Sequence, residues 1–333
     1  MVVNPSKFAK LETFTTAVAD EFTSLGHATP TFIETTVEDP GFGQAKQALA
    51  DGADMVIAAG GDGTVRMVAG ALAGTAAELA IIPVGTGNLM ARNLAVPLDD
   101  VPAAVRLALT GTRQTIDLGW LATENDAAST DTAPAEAAES DSPSDAQTPQ
   151  SASDDAEAPD EHPFLVIAGI GFDAEIMHDT RSRLKKLVGV GAYVVAGAGR
   201  IFGRSVEAAV RLDGRPPKRL KARTVMIGNV GRLPGGFTLM PGADATNGSL
   251  EILALNWRGA AGFAQIAAEM VAPGAPSLAQ ISSSRTFQAR RVEVTCDRTM
   301  PIQVDGDVIG RGTRLWARVE PRALSVRVGK RSE

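Results

Sequence analysis

The chain has a single cysteine and no long apolar run. Cys296 is the only cysteine among 333 residues, which excludes an internal disulfide and a cysteine-rich metal site and makes a reducing cytosol the natural compartment. It lies in the strand-like run VEVTC, so we expect a small buried hydrophobe. No charged-then-apolar signal sequence opens the chain, and no apolar run reaches about 18 residues. We therefore expect a cytoplasmic protein that is soluble or peripherally attached to a membrane.

One segment has no basic residues. Residues 122–163 contain twelve acids, no Lys or Arg and almost no large apolar side chains. Such a composition cannot bury enough surface to offset its ordering entropy, so residues 122–162 are predicted to be a disordered surface insertion. Because the whole chain has 39 acids, the remainder holds 32 basic against 27 acidic residues. The formal net charge of −7 therefore conceals a basic body.

Basic residues are frequent between Arg181 and Arg223. This stretch contains twelve Lys or Arg, and its only acids are Glu207 and Asp213. Such a face suits an anionic membrane surface, although a solvated face without a partner explains the count about equally well. Nucleic acid is a poor candidate partner because the basic residues lack interleaved aromatics.

Two glycine-rich loops follow two short apolar runs, 55–59 and 79–82. Such runs are typical of strands buried on both faces of a parallel sheet. Glycine lets the backbone take positive φ and bring its N–H groups close to a bulky anion, and each turn opens a helix whose positive end adds to the effect. Side by side, the loops would cradle a polyphosphate; plain strand-to-helix connections are the alternative. The residues of the predicted cradle are Gly60, Gly61, Asp62, Gly63, Thr64, Gly85, Thr86, Gly87 and Asn88.

An acid within the first loop favours the phosphate interpretation. A carboxylate at Asp62 makes sense beside phosphates mainly if a divalent cation or a cationic group lies between them. The motifs GGDGTVRMVAGAL and PVGTGNLMARNL resemble the nucleotide-binding segment of the diacylglycerol kinase catalytic-domain family, which includes bacterial soluble lipid kinases and the sphingosine and ceramide kinases. NAD kinases and phosphofructokinases have loops similar to GGDG, whereas the pairing with PxGTxN favours the lipid kinases.

The resemblance covers nearly the whole chain apart from residues 122–162. It implies that ATP and Mg²⁺ are used, and that the NP segment contributes nucleotide contacts at Asn4 and Ser6. A further nucleotide contact is implied at Thr35, with Thr36 as the alternative.

Two different patterns predict two domains. Strand-like and helix-like runs alternate over residues 1–121, which implies right-handed βαβ units and a parallel sheet. Residues 163–319 contain strand-like runs at short spacing, which predict an antiparallel β-sandwich. These runs are 206–212, 222–228, 250–255, 291–296, 302–305 and 314–319.

Other segments of the second domain are assigned less directly. FLVIAGIGFDAEIM, from residue 164, resembles the GxGxDA segment of the family. A glycine-rich apolar helix is predicted over 185–204, either packed in the core or facing lipid, and another helix around 260–270. By the resemblance, the C-terminal segment, about 320–333, returns to the first domain.

Two turns of the second domain carry acids. In PGADATNGSL, Asp244 and Asn247 lie three apart and could converge on one hard cation with a main-chain carbonyl, although the same residues also form ordinary turns. The resemblance implies a structural Mg²⁺ site there, formed by Asp244, Asn247 and Ser249. In QVDGD, it assigns Asp305 the role of general base with Asp307 in support; two solvated acids in a β-turn are the alternative.

The sequence therefore predicts an α/β nucleotide-binding domain followed by a β-sandwich lipid-substrate domain. We expect transfer of the γ-phosphate of ATP to a lipid hydroxyl, that of diacylglycerol or a related lipid, at an anionic membrane surface. A homodimer is left open. The alternatives are a NAD kinase-like enzyme and a catalytically silent regulator that binds lipid or nucleotide, the latter because Asn247 stands where the family has an acid.

Overall fold

The computed structural model describes residues 1–124, 161–171, 205–232, 238–257 and 282–329. Several predicted features lie outside these ranges. They are the FDAEIM end of the GxGxDA-like segment after residue 171, the helices over 185–204 and around 260–270, the basic residues from Arg181 to Arg204, and residues 125–160 of the acidic insertion.

The first domain alternates strands and helices, as its sequence predicts. Its parallel strands lie in the order β4, β3, β1, β2, and Val2 is paired with both Ile33 and Ala58. The elements are β1 (Val2–Val3), α1 (Leu11–Ser24), β2 (Ile33–Glu34), α2 (Phe42–Ala50), β3 (Met55–Gly60), α3 (Asp62–Leu72), β4 (Glu78–Pro83), α4 (Leu89–Asn93) and α5 (Val101–Thr110).

The parallel arrangement determines where a site can form. The interiors of β3 and β4 are buried, because helices cover the faces of a parallel sheet. On α1, the apolar residues Phe14, Val18 and Phe22 recur every four positions and are buried. The carboxyl ends of β1, β3 and β4 meet at one edge of the sheet, which brings the NP segment and both glycine loops together.

The second domain is built from antiparallel strands. Across the sheet, β12, β11, β10, β7, β13 and β14 follow one another, while β8 and β9 continue from the other half of β13. The strands are β5 (Thr112–Thr123), β6 (His162–Phe164), β7 (Ile167–Ile170), β8 (Val206–Leu212), β9 (Lys218–Ala222), β10 (Thr224–Gly228), β11 (Leu250–Trp257), β12 (Ser282–Ala289), β13 (Arg291–Val304) and β14 (Asp307–Val328). The predicted α/β domain and β-rich domain are both confirmed.

Several predicted strand bounds are wrong. The runs 291–296 and 302–305 belong to one strand, β13, which a register shift between Thr295 and Met300 interrupts without ending. The predicted strand 222–228 is instead the end of β9 followed by β10. The insertion was predicted to begin at Ala122, but β5 continues to Thr123 because its last residues pair with β14.

Strand β14 passes from one hydrophobic core to the other. Its first half pairs with β13, and its end pairs in parallel with β4, Ser325 opposite Glu78. The buried carboxylate of Asp117 holds the crossing point, because it accepts hydrogen bonds from the backbone N–H groups of Arg322, at 2.8 Å, and Gly248, at 2.7 Å. The C-terminal strand is therefore part of both domains.

Two expectations from composition can be checked in the described residues. Cys296 is buried, and burial, with a contribution from Asp297, raises the pKa of its thiol to about 11, as expected for a packed side chain. Among the helices that the structure describes, none has the length and apolarity needed to cross a bilayer.

Candidate active site

The first glycine loop joins β3 to α3. Gly61 precedes the first residue of α3, Asp62. Gly60, Gly61 and Gly63 have negative φ, so none of them uses the positive φ that glycine allows. Close packing explains why one of these positions, Gly60, is a glycine. A Cβ on Gly60 would lie 2.5 Å from the Cβ of Thr64, a distance that real Cβ atoms do not approach.

The second loop packs directly against the first. A Cβ on Gly85 would lie 2.7 Å from the Cα of Gly61, and one on Gly87 would lie 2.6 Å from a carboxylate oxygen of Asp62. These glycines therefore let two backbones meet where any side chain would separate them. The predicted juxtaposition of the loops is present.

Asn88 closes the second loop on itself. Its backbone is left-handed, with φ of +50°. Its carboxamide accepts from the N–H of Gly85 at 3.1 Å and donates to the carbonyl of the same residue at 2.8 Å. The carboxamide of this residue of the predicted cradle is thus engaged within the loop. Thr86 is exposed at the tip of the loop.

Asp62 ties the two loops together. Its carboxylate oxygens accept from the backbone N–H groups of Asn88, at 2.9 Å, and Leu89, at 2.5 Å. Burial raises the pKa of Asp62, the two amides oppose that shift, and the nearby charge of Asp307 adds to it. Asp62 therefore stabilises the loop pair directly, and its contact with a metal ion stays a prediction.

The NP segment lies beside the first loop. The side chain of Asn4 donates to the hydroxyl of Thr64 at 3.3 Å and accepts from the N–H of Ser6 at 3.1 Å. Lys7 is exposed, and its Cε lies 3.7 Å from the position that a Cβ on Gly61 would take. The segment thus adds an exposed cation beside the loops.

Thr35 lies at the same edge of the sheet. It is buried, and its backbone N–H donates to the carbonyl of Val3 at 2.9 Å. Asn4, Ser6 and Thr35 therefore lie together around the end of β1. Their contact with nucleotide stays a prediction.

Asp305 and Gly306 form the two-residue turn between β13 and β14. Both have positive φ, +48° and +92°, and Val304 pairs with Asp307 across the turn, as in a type I′ hairpin with the sequence Asp-Gly.

The Asp305 carboxylate points inward from this turn. Only 8% of the residue is exposed, and its two oxygens accept from three successive amides, those of Leu165, Val166 and Ile167, at 2.8 to 2.9 Å. Burial raises its pKa, and the amides and the charge of Arg66 oppose that shift. The geometry argues against Asp305 as general base, because its oxygens face backbone amides rather than an open cleft.

Asp307 lies on the exposed side of the same turn. Its carboxylate is 61% exposed and accepts from the guanidinium of Arg66 on α3 at 2.9 Å. The same oxygen lies 3.4 Å from the position that a Cβ on Gly63 would take. An acid from the second domain thus reaches the first turn of α3, beside the glycine loops.

The loop from residue 241 to 249 uses its polar side chains locally. Asp244 accepts from the N–H and hydroxyl of Thr246 at 3.0 and 2.7 Å, and Asn247 accepts from the N–H and hydroxyl of Ser249 at 2.9 Å each. These are turn contacts of Asp and Asn. Within the described ranges no group of three or more His, Cys, Asp or Glu could hold a metal ion, so the Mg²⁺ site at Asp244, Asn247 and Ser249 stays a prediction.

Sequence reasoning missed the role of Arg66. The residue lies inside the motif GGDGTVRMVAGAL, but its position in a helix gave no sign of a contact with a turn 241 residues away. It is buried, and within the ranges that the structure describes its Nε has no hydrogen-bond acceptor.

Two family models match the chain. The diacylglycerol kinase catalytic domain matches residues 1–121, and the YegS C-terminal NAD kinase beta sandwich-like domain matches residues 166–328. A protein of Pseudomonas putida named probable lipid kinase YegS-like is 32% identical over 213 residues, which cover 63% of this chain and 58% of that protein. The diacylglycerol kinase of Bacillus subtilis is 26% identical over 300 residues, which cover 88% of this chain and 84% of that protein.

A solved structure shares the fold. The crystal structure of a diacylglycerol kinase from Bacillus anthracis superimposes with a TM-score of 0.63 at 18% sequence identity, covering 98% of this chain and 95% of that chain. Among the curated relatives, the chain spans a little over half the length of the Pseudomonas protein and most of the Bacillus subtilis one.

Proposed function

The chain belongs to the diacylglycerol kinase catalytic-domain family, and from that premise we propose that it transfers the γ-phosphate of ATP to the hydroxyl group of a lipid, diacylglycerol or a related one. The position of Asp307 carries this proposal. An exposed acid of the second domain lies against the first turn of α3, where a phosphate bound between the glycine loops would meet a substrate held by the other domain.

The two loops and the NP segment would bind the nucleotide. Because the glycines have no Cβ, the two loops meet closely, and α3 directs its N-terminal N–H groups to the same place. Lys7 adds an exposed positive charge. Mg²⁺, which neutralises phosphate charge in such transfers, would lie near Asp62 of the first loop.

Asp307 replaces Asp305 as the residue that would accept the proton. In the transfer, the lipid hydroxyl oxygen forms a bond to the γ-phosphorus, and the bond from that phosphorus to the leaving oxygen breaks to release ADP. The hydroxyl proton passes to a carboxylate. Asp307 has an exposed oxygen for this proton, whereas both oxygens of Asp305 accept hydrogen bonds from backbone amides.

A basic strand in the second domain would place the enzyme on its substrate. Lys218, Arg219 and Lys221 of β9 are exposed, and the Lys218 ammonium lies 4.4 Å from the centre of the Phe287 ring. Such a group of cations attracts anionic headgroups. The partner we propose is therefore an anionic membrane surface.

The test is a transfer assay with several acceptors. The purified chain is incubated with γ-labelled ATP, Mg²⁺ and, in separate reactions, diacylglycerol, ceramide, sphingosine and NAD. We expect label in a lipid and none in the Gly61→Val variant, whose side chain would fill the space between the loops. Labelled NADP would instead support the NAD kinase-like alternative, and ATP binding without transfer to any acceptor would support the silent regulator.

A further inference from the structure

Arg66 joins the two domains at the candidate active site. It lies on the second turn of α3, and its Nη2 donates to the Asp307 carboxylate at 2.9 Å. The burial of the two partners is unequal, because the Arg66 side chain is 10% exposed and that of Asp307 is 61% exposed. Packing therefore fixes the Arg66 side chain, and the ion pair with Arg66 orients the exposed Asp307 side chain.

The charge on Arg66 has few partners. A guanidinium stays protonated in proteins, and a buried one needs an anion nearby. Asp307 supplies its ion pair, and the charge of Arg66 opposes the rise in the pKa of Asp305 that burial causes. Among the described residues, its Nε has no acceptor. Losing Asp307 would leave a buried cation with no direct ion-pair partner in the part of the chain that the structure describes.

Without this contact, an exposed aspartate would sample several rotamers in solvent. With it, one carboxylate oxygen is directed at Arg66 and lies over Gly63, at the start of α3. The other oxygen remains open to a substrate. A charge-assisted hydrogen bond of this kind fixes orientation as well as charge.

We propose that Arg66 is a positioning residue, which holds the Asp307 carboxylate in register with the glycine loops so that the second domain presents its proton acceptor to the first. This inference rests on the proposed function, since it assigns Asp307 the role of proton acceptor. Arg66 itself neither takes the proton nor contacts the lipid.

The test is a double-mutant cycle with Arg66→Gln, Asp307→Asn and the double variant, together with Arg66→Lys. For each protein the measurements are kcat for lipid phosphorylation, the Kd for ATP and the free energy of unfolding. We expect Arg66→Gln to lower kcat by roughly 10²-fold, as misplacement of a catalytic group does, with the Kd for ATP changed less than about twofold, and Arg66→Lys to recover part of the loss. In the Asp307→Asn background, Arg66→Gln should cause no further loss of kcat, because nothing is left to position.

The matched control is Arg106→Gln. This arginine lies on α5 and pairs with Glu21 at 2.8 Å, away from the loops, so the same loss of charge should leave kcat unchanged. If Arg66→Gln lowered kcat equally in the original protein and in the Asp307→Asn background, the positioning role would be overturned. A weaker ATP affinity at unchanged kcat would make Arg66 a phosphate ligand instead.

The unfolding measurements separate this inference from the proposed function. If the ion pair forms, the two single variants should not be additive in free energy of unfolding, whatever the enzyme phosphorylates. Additive values would overturn the pairing on their own. Non-additive values in a protein that phosphorylates no lipid would instead overturn the proposed function, and the catalytic part of this inference with it.

Discussion

The first domain and the second each place an aspartate close to the end of a strand, Asp62 two residues after β3 and Asp305 directly after β13, and the surroundings of both differ from those of Asp307. Asp62 and Asp305 accept two and three hydrogen bonds from backbone amides. Asp307, two residues beyond Asp305, is exposed and accepts from a side chain. A buried carboxylate is used to hold backbone in place, whereas an exposed one remains available for chemistry. The predictions that follow test this division between buried and exposed charge.

The largest effect is expected from the exposed acid. Asp307→Asn keeps the shape of the side chain and removes its basicity, so kcat should fall by roughly 10² to 10⁴-fold, the usual contribution of a general base. The Kd for ATP should change little, whereas the melting temperature should fall to the extent that the ion pair with Arg66 stabilises the fold. Steady-state kinetics with a calorimetric Kd provide the measurement. If kcat of Asp307→Asn were close to that of the unchanged protein, another group would be the general base.

The buried acid of the same turn should affect stability instead. Asp305→Ala leaves the amides of Leu165, Val166 and Ile167 buried without acceptors. Each orphaned group costs about 1 to 3 kcal/mol, so the variant should unfold at a much lower denaturant concentration or fail to accumulate. Gly306→Ala, in the same turn, controls for the backbone, since a Cβ there meets nothing within 4 Å and only its φ of +92° is strained. If Asp305→Ala were stable but inactive, Asp305 would act in the chemical step rather than in holding the backbone.

The exposed cations of β9 should affect neither folding nor the chemical step. Replacing Lys218, Arg219 and Lys221 with Gln should weaken binding to anionic vesicles by about 1 kcal/mol per charge, less at high salt. Turnover of substrate dispersed in detergent micelles should survive. The matched control carries the same charge loss on the first domain, at Lys10, Lys46 and Arg106. If micellar turnover falls as well, β9 has a role within the active site.

A smaller effect concerns the pH dependence of stability. Glu251 is 3% exposed, and its Oε2 has no hydrogen-bond partner among the described residues. Burial raises the pKa of Glu251, and the amides of Gly242 and Ala243 oppose the shift. A raised pKa means that the folded state binds this proton more tightly, so the group costs stability as pH rises above its unfolded pKa. Glu251→Gln should therefore become more stable relative to the unchanged protein between pH 5 and pH 8, as measured by thermal unfolding. A shift in the other direction would mean that the carboxylate is stabilised as an anion.

Local patterns account for the parts of the fold that could be predicted. The buried strands β3 and β4 and the glycine loops were evident because each is specified within about ten residues, and β8 was predicted with its observed bounds, Val206–Leu212, from its strand-like run of alternating side chains. The same reasoning did not predict that the glycines also allow close packing of the loops. Their need for close packing comes from the contact of Gly85 with Gly61, which no single loop reveals.

The roles of the acids could not be predicted because their partners are distant in sequence. Asp305 accepts from amides about 140 residues before it, and Asp307 pairs with an arginine 241 residues before it. In the sequence, VDGD shows two equivalent acids around a glycine. The positive φ of Asp305 and Gly306 turns the chain, and the chain segments packed against the turn decide which acid is buried.

The smallest effect is expected from the acidic insertion. The segments that flank it are paired, Leu121 opposite His162, and acids at its two ends have partners in β14. Glu124 accepts from the N–H of Thr313 at 2.7 Å, and Glu161 accepts from the guanidinium of Arg318 at 2.9 Å. Deletion of residues 125–160 that keeps both glutamates should therefore leave the anchored ends intact.

In that variant, a neutral linker of about nine residues replaces the 36 deleted ones. The shorter loop lowers the entropy cost of loop closure by about 1 kcal/mol, which stabilises the fold. Melting temperature and ATP affinity should be nearly unchanged. Because the deletion removes ten acids, binding to anionic vesicles should strengthen, and the gain should disappear at high salt. A linker of the full length made of Gly and Ser separates lost charge from lost length, since it should strengthen vesicle binding as well. A large fall in melting temperature would show that the segment contributes to a core, against its composition.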